Sequence, residues 1–144
     1  MKRLHVSAAA LAALSMWAMT AHGASILVDF GTVDHLTESP TNGVYWNNAA
    51  DAAGGAVLQG LVTTSGALVP ITISNQATFI QNGGVAVGGL TNPSPAQLGN
   101  LAVDTATIDF WAVASNVTSG IRFDLSGLNP TATYSFRFFG TRAT

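Results

Sequence analysis

The sequence contains no cysteine, so it offers neither a disulfide framework nor a thiolate to act as nucleophile or ligand. A domain of this kind must be stabilised by its core, by metal or by partners. Charge is scarce too. Charged residues make up 8% of the chain, against about a quarter in ordinary soluble domains, so solubility rests on Ser, Thr, Asn, Gln and Gly. Basic residues are fewer still: after Lys2 and Arg3 only Arg122, Arg137 and Arg142 follow, against seven acids. The chain beyond residue 23 thus has three positive and seven negative side chains, a net charge near −4, and no lysine. Nucleic acid binding requires clustered Lys and Arg to displace counterions from phosphates, and this composition excludes it. Adsorption to anionic membranes is disfavoured for the same reason.

Catalytic side chains are equally sparse. Beyond residue 23 there is one histidine, His35, in a polar loop where solvation is its expected state. No G-x-S-x-G elbow accompanies it, and one histidine without cysteine does not make a zinc site. Carboxylates are the remaining option: Asp29, Asp34, Glu38, Asp51, Asp104, Asp109 and Asp124. A glycosidase needs two of them facing each other across a cleft, and no spacing here demonstrates such a pair. Asp104 and Asp109 stand near one strand start and would serve a structural calcium ion as well as a turn; surface aspartates in turns are the default. No catalytic residue, cofactor or metal is therefore assigned, and the chain reads as a non-enzyme.

What is present begins with a leader. Lys2 and Arg3 precede an apolar run from about Leu4 to Met19, and small residues follow at Ala21, Gly23 and Ala24. This positive, apolar, small-residue order is that of a cleavable secretory signal peptide over residues 1–23. The run falls short of the ~18–20 apolar residues that span a bilayer. The expected localisation is secreted or cell-surface, with no membrane span once the leader is removed. Residues 24–144, about 120 in number, suffice for a single domain with its own core.

That domain reads as all-β. Ile121, Phe123 and Leu125 alternate with Arg122 and Asp124; Tyr134, Phe136 and Phe138 alternate with Ser135 and Arg137. A period of two places each apolar set on one strand face. The link Ser126–Ala132, with Leu128 and Pro130, suits a corner between facing sheets, where the Tyr134 hydroxyl bonds back to upstream backbone. Further strands are expected at Ser25–Phe30, with Asp29 pointing away from Val28 and Phe30, within Ala56–Thr64 and Leu68–Ile80, and at Thr107–Val113. Ser94 and Pro95 begin a short helix, and the glycine-rich stretch Gln81–Asn92 reads as a flexible loop. Asn116-Val117-Thr118 matches a glycosylation acceptor, which matters only in a eukaryotic secretory pathway. The fold class expected is an antiparallel β-sandwich or jelly roll.

Contact residues for a ligand are sought among the aromatics. Tyr45-Trp46-Asn47-Asn48 sets two rings beside two amides, the chemistry that stacks on a sugar face and bonds its hydroxyls. The competing reading has Trp46 closing one end of the core and the asparagines capping turns. Trp111 is a platform beside Asp109 if Phe110 and Ile108 point inward, and core if the strand is covered on both faces. Tyr45, Trp46, Asn47 and Trp111 form the candidate ligand-binding set.

Taken together, Ile26–Gly31, Trp46–Asn48, Ala102–Asp104, Phe123–Leu128 and Tyr134–Arg142 resemble exported bacterial β-sandwich proteins that carry a PEP-CTERM sorting tail. They are similar also to the galactose-binding-like jelly rolls attached to secreted polysaccharide-active enzymes. The resemblance implies a non-catalytic surface or matrix role, with extracellular polysaccharide as a partner, and transfers no binding residue. The alternatives are a purely structural surface protein and an accessory fragment of a polysaccharide-active enzyme. The sorting tail has no counterpart after Thr144, so the expectation is a domain lacking its C-terminal strands, the alternative being a complete one whose last strand is central.

Overall fold

The computed structural model describes residues 23–113 and 122–140. The leader expected at residues 1–23 lies outside them except for Gly23, as do the acceptor Asn116-Val117-Thr118 and the start of the alternating run at Ile121. Among the described residues no helix is long and apolar enough to cross a membrane.

The described chain is β-rich, with short strands and two short helices. In chain order these are β1 (Val28–Phe30), β2 (Asn47–Ala49), β3 (Val57–Leu58), β4 (Thr72–Asn75), β5 (Ile80–Gly83), α1 (Pro95–Leu98), α2 (Asp104–Ile108), β6 (Asp109–Ala112) and β7 (Phe123–Ser126). They form three small sheets: β1-β2, β3-β4-β7 and β5-β6. The last two are antiparallel, whereas β1 and β2 run parallel, with Asp29 opposite Asn48 and Phe30 opposite Ala49. A parallel pair cannot be closed by a tight hairpin. The chain accordingly crosses over through residues 31–46, by way of a 3-10 turn at Val33–His35 and a bridged turn joining Thr41 to Val44.

Four rings bind the sheets together. Phe30 meets Trp111 edge-on at 5.2 Å and Phe123 at 5.2 Å, while Phe79 lies 5.1 Å from Trp111 and 5.0 Å from Phe123. Since Phe30, Trp111 and Phe123 belong to β1, β6 and β7, each sheet supplies a ring to one cluster. Aromatic pairs at such spacings contribute about 0.5–1.5 kcal/mol each beyond the area they bury. Among the described residues the buried apolar set is small: Trp46, Ala49, Ala52 and Leu61.

Several expectations are modified. Among the described residues the strands do not join into a closed sandwich or jelly roll, because runs of two to four residues form too few ladder bonds to merge the sheets. The strand expected over Thr107–Val113 starts late. Thr107 and Ile108 finish α2, where the Thr107 hydroxyl donates toward the carbonyls of Leu90 and Val103 and competes with ladder formation. The glycine-rich stretch is not a plain loop: it begins inside β5, continues through a 3-10 turn at Val85–Val87, and buries Gly88 and Gly89. At Gly89 a side chain would overlap the Ile108 carbonyl.

The run Tyr134–Phe138, expected as a strand, pairs with nothing among the described residues and lies exposed. Alternation supplies a strand's faces, but its backbone needs a partner to become a strand. The local bond expected at the corner is present: the Asn129 N–H donates to the Tyr134 hydroxyl at 2.8 Å.

Candidate functional site

The polar interior centres on two aspartates. Asp29 in β1 and Asp109 in β6 are each only 4% exposed, and the crossover passes over both. At its start, the Thr32 backbone N–H and hydroxyl both donate to Asp109 Oδ2, the hydroxyl at 3.0 Å. At its far side, the Thr37 hydroxyl donates to Asp29 Oδ2 at 2.8 Å. Asn48, opposite Asp29 in the parallel ladder, closes on the same residue: its Oδ1 accepts the Thr37 N–H and its Nδ2 donates to the Thr37 carbonyl, both at 2.9 Å.

Each threonine hydroxyl has one proton, and that fixes the direction of the remaining bonds. Thr37 gives its proton to Asp29, so the Thr105 hydroxyl, 2.8 Å away, donates to Thr37. Thr32 gives its proton to Asp109, so His35 Nδ1, 3.1 Å away, carries a proton and donates to Thr32. His35 is thus held in the site rather than freely solvated, with Nδ1 3.9 Å from Asp109 Oδ2.

Thr32, His35 and Asp109 have the residue types of a catalytic triad but not its wiring. A triad uses one imidazole nitrogen toward the nucleophile and the other toward the acid; here Nδ1 faces both partners. The threonine hydroxyl, moreover, donates to the carboxylate, not to the imidazole.

Electrostatically the centre is loaded with negative charge. Burial pushes the Asp29 carboxyl up to about 6; Asp109 adds to the rise, while the Thr37 hydrogen bonds and His35 oppose it. Asp109 Oδ1 is buried with no hydrogen-bond partner. Among the described residues no three His, Cys, Asp or Glu side chains converge to hold a metal ion. Asp104, considered with Asp109 for calcium, instead accepts the Asn92 N–H at 2.8 Å at the surface.

The candidate ligand set is divided. Trp46 is 4% and Asn47 8% exposed; Asn47 donates to the Leu27 and Val62 carbonyls and accepts the Val62 N–H. Tyr45 keeps part of its surface beside Gly66. Trp111 sits in the aromatic cluster and donates its Nε1–H to the Gly31 carbonyl at 2.9 Å. It also lines a crevice of about 120 Å³ with Phe30, Asn48, Asp51, Ile73 and Asn75, to which Tyr45, Trp46 and Asn47 do not contribute.

Alternation sets Asp29 on the face opposite Val28 and Phe30, and Asp109 reads by default as a surface aspartate in a turn. Both faces of these strands are covered, so that inference fails. The available signal was context: each aspartate is embedded in an apolar run, Val28-Asp29-Phe30 and Ile108-Asp109-Phe110, in a chain that hardly uses charge. Compared with known proteins, the chain matches no family model, no curated protein and no solved structure.

Proposed function

We propose that the chain is an exported, non-catalytic β-domain that works by surface contact, at the cell surface or in the extracellular matrix. Its small sheets are read as part of a sandwich of the jelly-roll kind. The observation that carries this reading is the uncovered aromatic row: Phe136 is 60% and Phe138 80% exposed, on a segment that forms no strand. Contiguous exposed apolar surface marks interaction sites in soluble proteins. The buried asparagines Asn47 and Asn75, in contrast, spend their side chains on the protein's own backbone, which supports contact rather than chemistry. The test is retention of the chain on insoluble polysaccharides, with and without Phe136→Ser and Phe138→Ser. Retention lost at an unchanged melting temperature supports the reading; undiminished retention overturns it.

A second reading, recognition of a soluble glycan, is favoured by the crevice that Trp111 lines with Phe30, Asn48, Asp51 and Asn75. Rings beside amides and a carboxylate match sugar chemistry. A ligand that binds only the folded state raises its stability. A polysaccharide that shifts the melt of the intact chain, but not that of Trp111→Phe, would favour this site over the aromatic row.

A further inference from the structure

One face of the sheet β3-β4-β7 is only partly covered. In its ladders Leu58 stands opposite Ile73, and Ile73 opposite Leu125, so the three side chains share a face. Phe123, two residues before Leu125 in β7, shares that face too and belongs to the aromatic cluster. Away from Phe123 the cover thins: Leu58 and Ile73 are half-buried, and Leu125 is 38% exposed. The crevice of about 120 Å³ lies here, walled by Leu58 and Ile73 together with Phe30 and Trp111. An apolar cavity of about 150 Å³ admits one benzene molecule. The crevice is therefore close to the size of a single aromatic ring.

The same chain carries such rings and keeps them off this face. Phe136 and Phe138 are 60% and 80% exposed, although they follow β7 closely in sequence. The link between is tied to itself. The Asn129 carbonyl accepts the Ala132 N–H at 3.1 Å, Asn129 Oδ1 accepts the Thr131 N–H and hydroxyl at 3.0 and 2.9 Å, and the Asn129 N–H donates to the Tyr134 hydroxyl. A turn closed by its own bonds fixes the direction in which the chain leaves it, and here both rings are left in solvent.

Charge points to the same match. Arginine occurs twice among the described residues: Arg122 pairs with Asp124 at 2.7 Å, whereas Arg137, between the two rings, has no carboxylate within ion-pair distance there. Asp51 stands exposed at the crevice, and no basic side chain among the described residues pairs with it.

We propose that the partner of the aromatic row is a second copy of this chain: Phe138 of each molecule enters the crevice of the other, Phe136 covers Leu125, and Arg137 meets Asp51. Each chain carries both the rings and the crevice, so a two-fold arrangement satisfies both contacts at once. The inference rests on the reading of the row as a contact surface and names what it contacts.

The experiment is sedimentation equilibrium of the intact chain over a dilution series. Wild type is compared with Phe138→Ser, Asp51→Arg, Arg137→Asp and the double exchange of Asp51→Arg with Arg137→Asp. The expected result is a monomer–dimer equilibrium in the wild type, weakened at least about tenfold by Phe138→Ser. Each charge reversal should weaken it severalfold, and the double exchange should restore it. The altered side chains are exposed, so the variants should melt as the dilute wild type does. Should Asp51→Arg disturb the turn in which Asp51 accepts the Ala53 N–H, Phe138→Ser and Arg137→Asp decide. A wild type that stays monomeric to about 1 mM overturns the proposal. A dimer that Phe138→Ser leaves intact overturns it also, as does a double exchange weaker than either single reversal. A monomer whose retention on polysaccharide still depends on Phe136 and Phe138 sinks this inference alone and leaves the contact reading standing. A Phe138-dependent dimer whose retention is undiminished by Phe136→Ser and Phe138→Ser upholds the inference and removes polysaccharide as the target of the row.

Discussion

Asn47 holds Val62 at both of its backbone groups: Oδ1 accepts the Val62 N–H at 2.8 Å, and Nδ2 donates to the Val62 carbonyl at 2.9 Å. The side-chain amide acts here as one rung of a β-ladder toward a segment that forms no strand of its own. Asn48, on the opposite face of β2, grips Thr37 in the same way. Two consecutive asparagines thus fasten two different loops to the two faces of one three-residue strand.

Asn47→Ala leaves the Val62 carbonyl and N–H without these partners, while the Leu27 carbonyl keeps the Asn47 backbone N–H. Each orphaned group costs about 1–3 kcal/mol, though water will recover part of it. The expected loss is roughly 2–4 kcal/mol, read as a lowered urea midpoint at unchanged slope. A loss under 1 kcal/mol would mean that the double clasp is not what secures Val62.

Trp46 behaves differently. Its ring is buried and its backbone N–H donates to Ser39 Oγ, but its indole Nε1–H is buried without a partner. Trp46→Phe removes an unpaired donor along with some ring volume, so it should cost less than about 2 kcal/mol. Trp46→Ala should cost about 3–5 kcal/mol through the cavity it leaves. Thermal melts of the two variants separate these effects, and equal losses would refute the account.

Gly31 lies so close to the Asp109 carboxylate that a Cβ there would overlap it. The carboxylate has no easy retreat, because Thr32 holds Oδ2 by two bonds. Gly31→Ala should destabilise by about 1–3 kcal/mol, as overpacking does. Since the clash is with this one side chain, Gly31→Ala and Asp109→Ala should be less than additive when combined. Additive losses in denaturant titrations would place the conflict elsewhere.

Acid should stabilise the fold as a whole through Asp29. The folded chain binds this proton more tightly than the unfolded chain, up to about 6 against 3.8. The contribution is complete below pH ~4 and is lost as pH rises to about 6. Its full size is roughly 3 kcal/mol. Comparing melts of wild type and Asp29→Asn across this range isolates it from the other carboxylates: the difference between the two proteins should change with pH and level off near neutrality. A constant difference from pH 4 to pH 7 would contradict the assignment.

The sequence by itself determined the β-rich character, through runs such as Thr72–Ser74 and Phe123–Leu125, whose alternation is a local property of strands. It determined also the Ser94-Pro95 helix start, where proline suits the first helical position, and the bond from the Asn129 backbone to Tyr134, which spans five residues and needs no distant partner. Tertiary structure alone decided which side of a strand is inside. Asp29 and Asp109 are buried because the crossover covers one and packs Thr32 against the other, a contact between residues 77 apart in sequence. Tyr134–Phe138 shows the converse limit. Its alternation is as regular as any in the chain, yet pairing depends on a neighbouring backbone, and among the described residues none lies beside it.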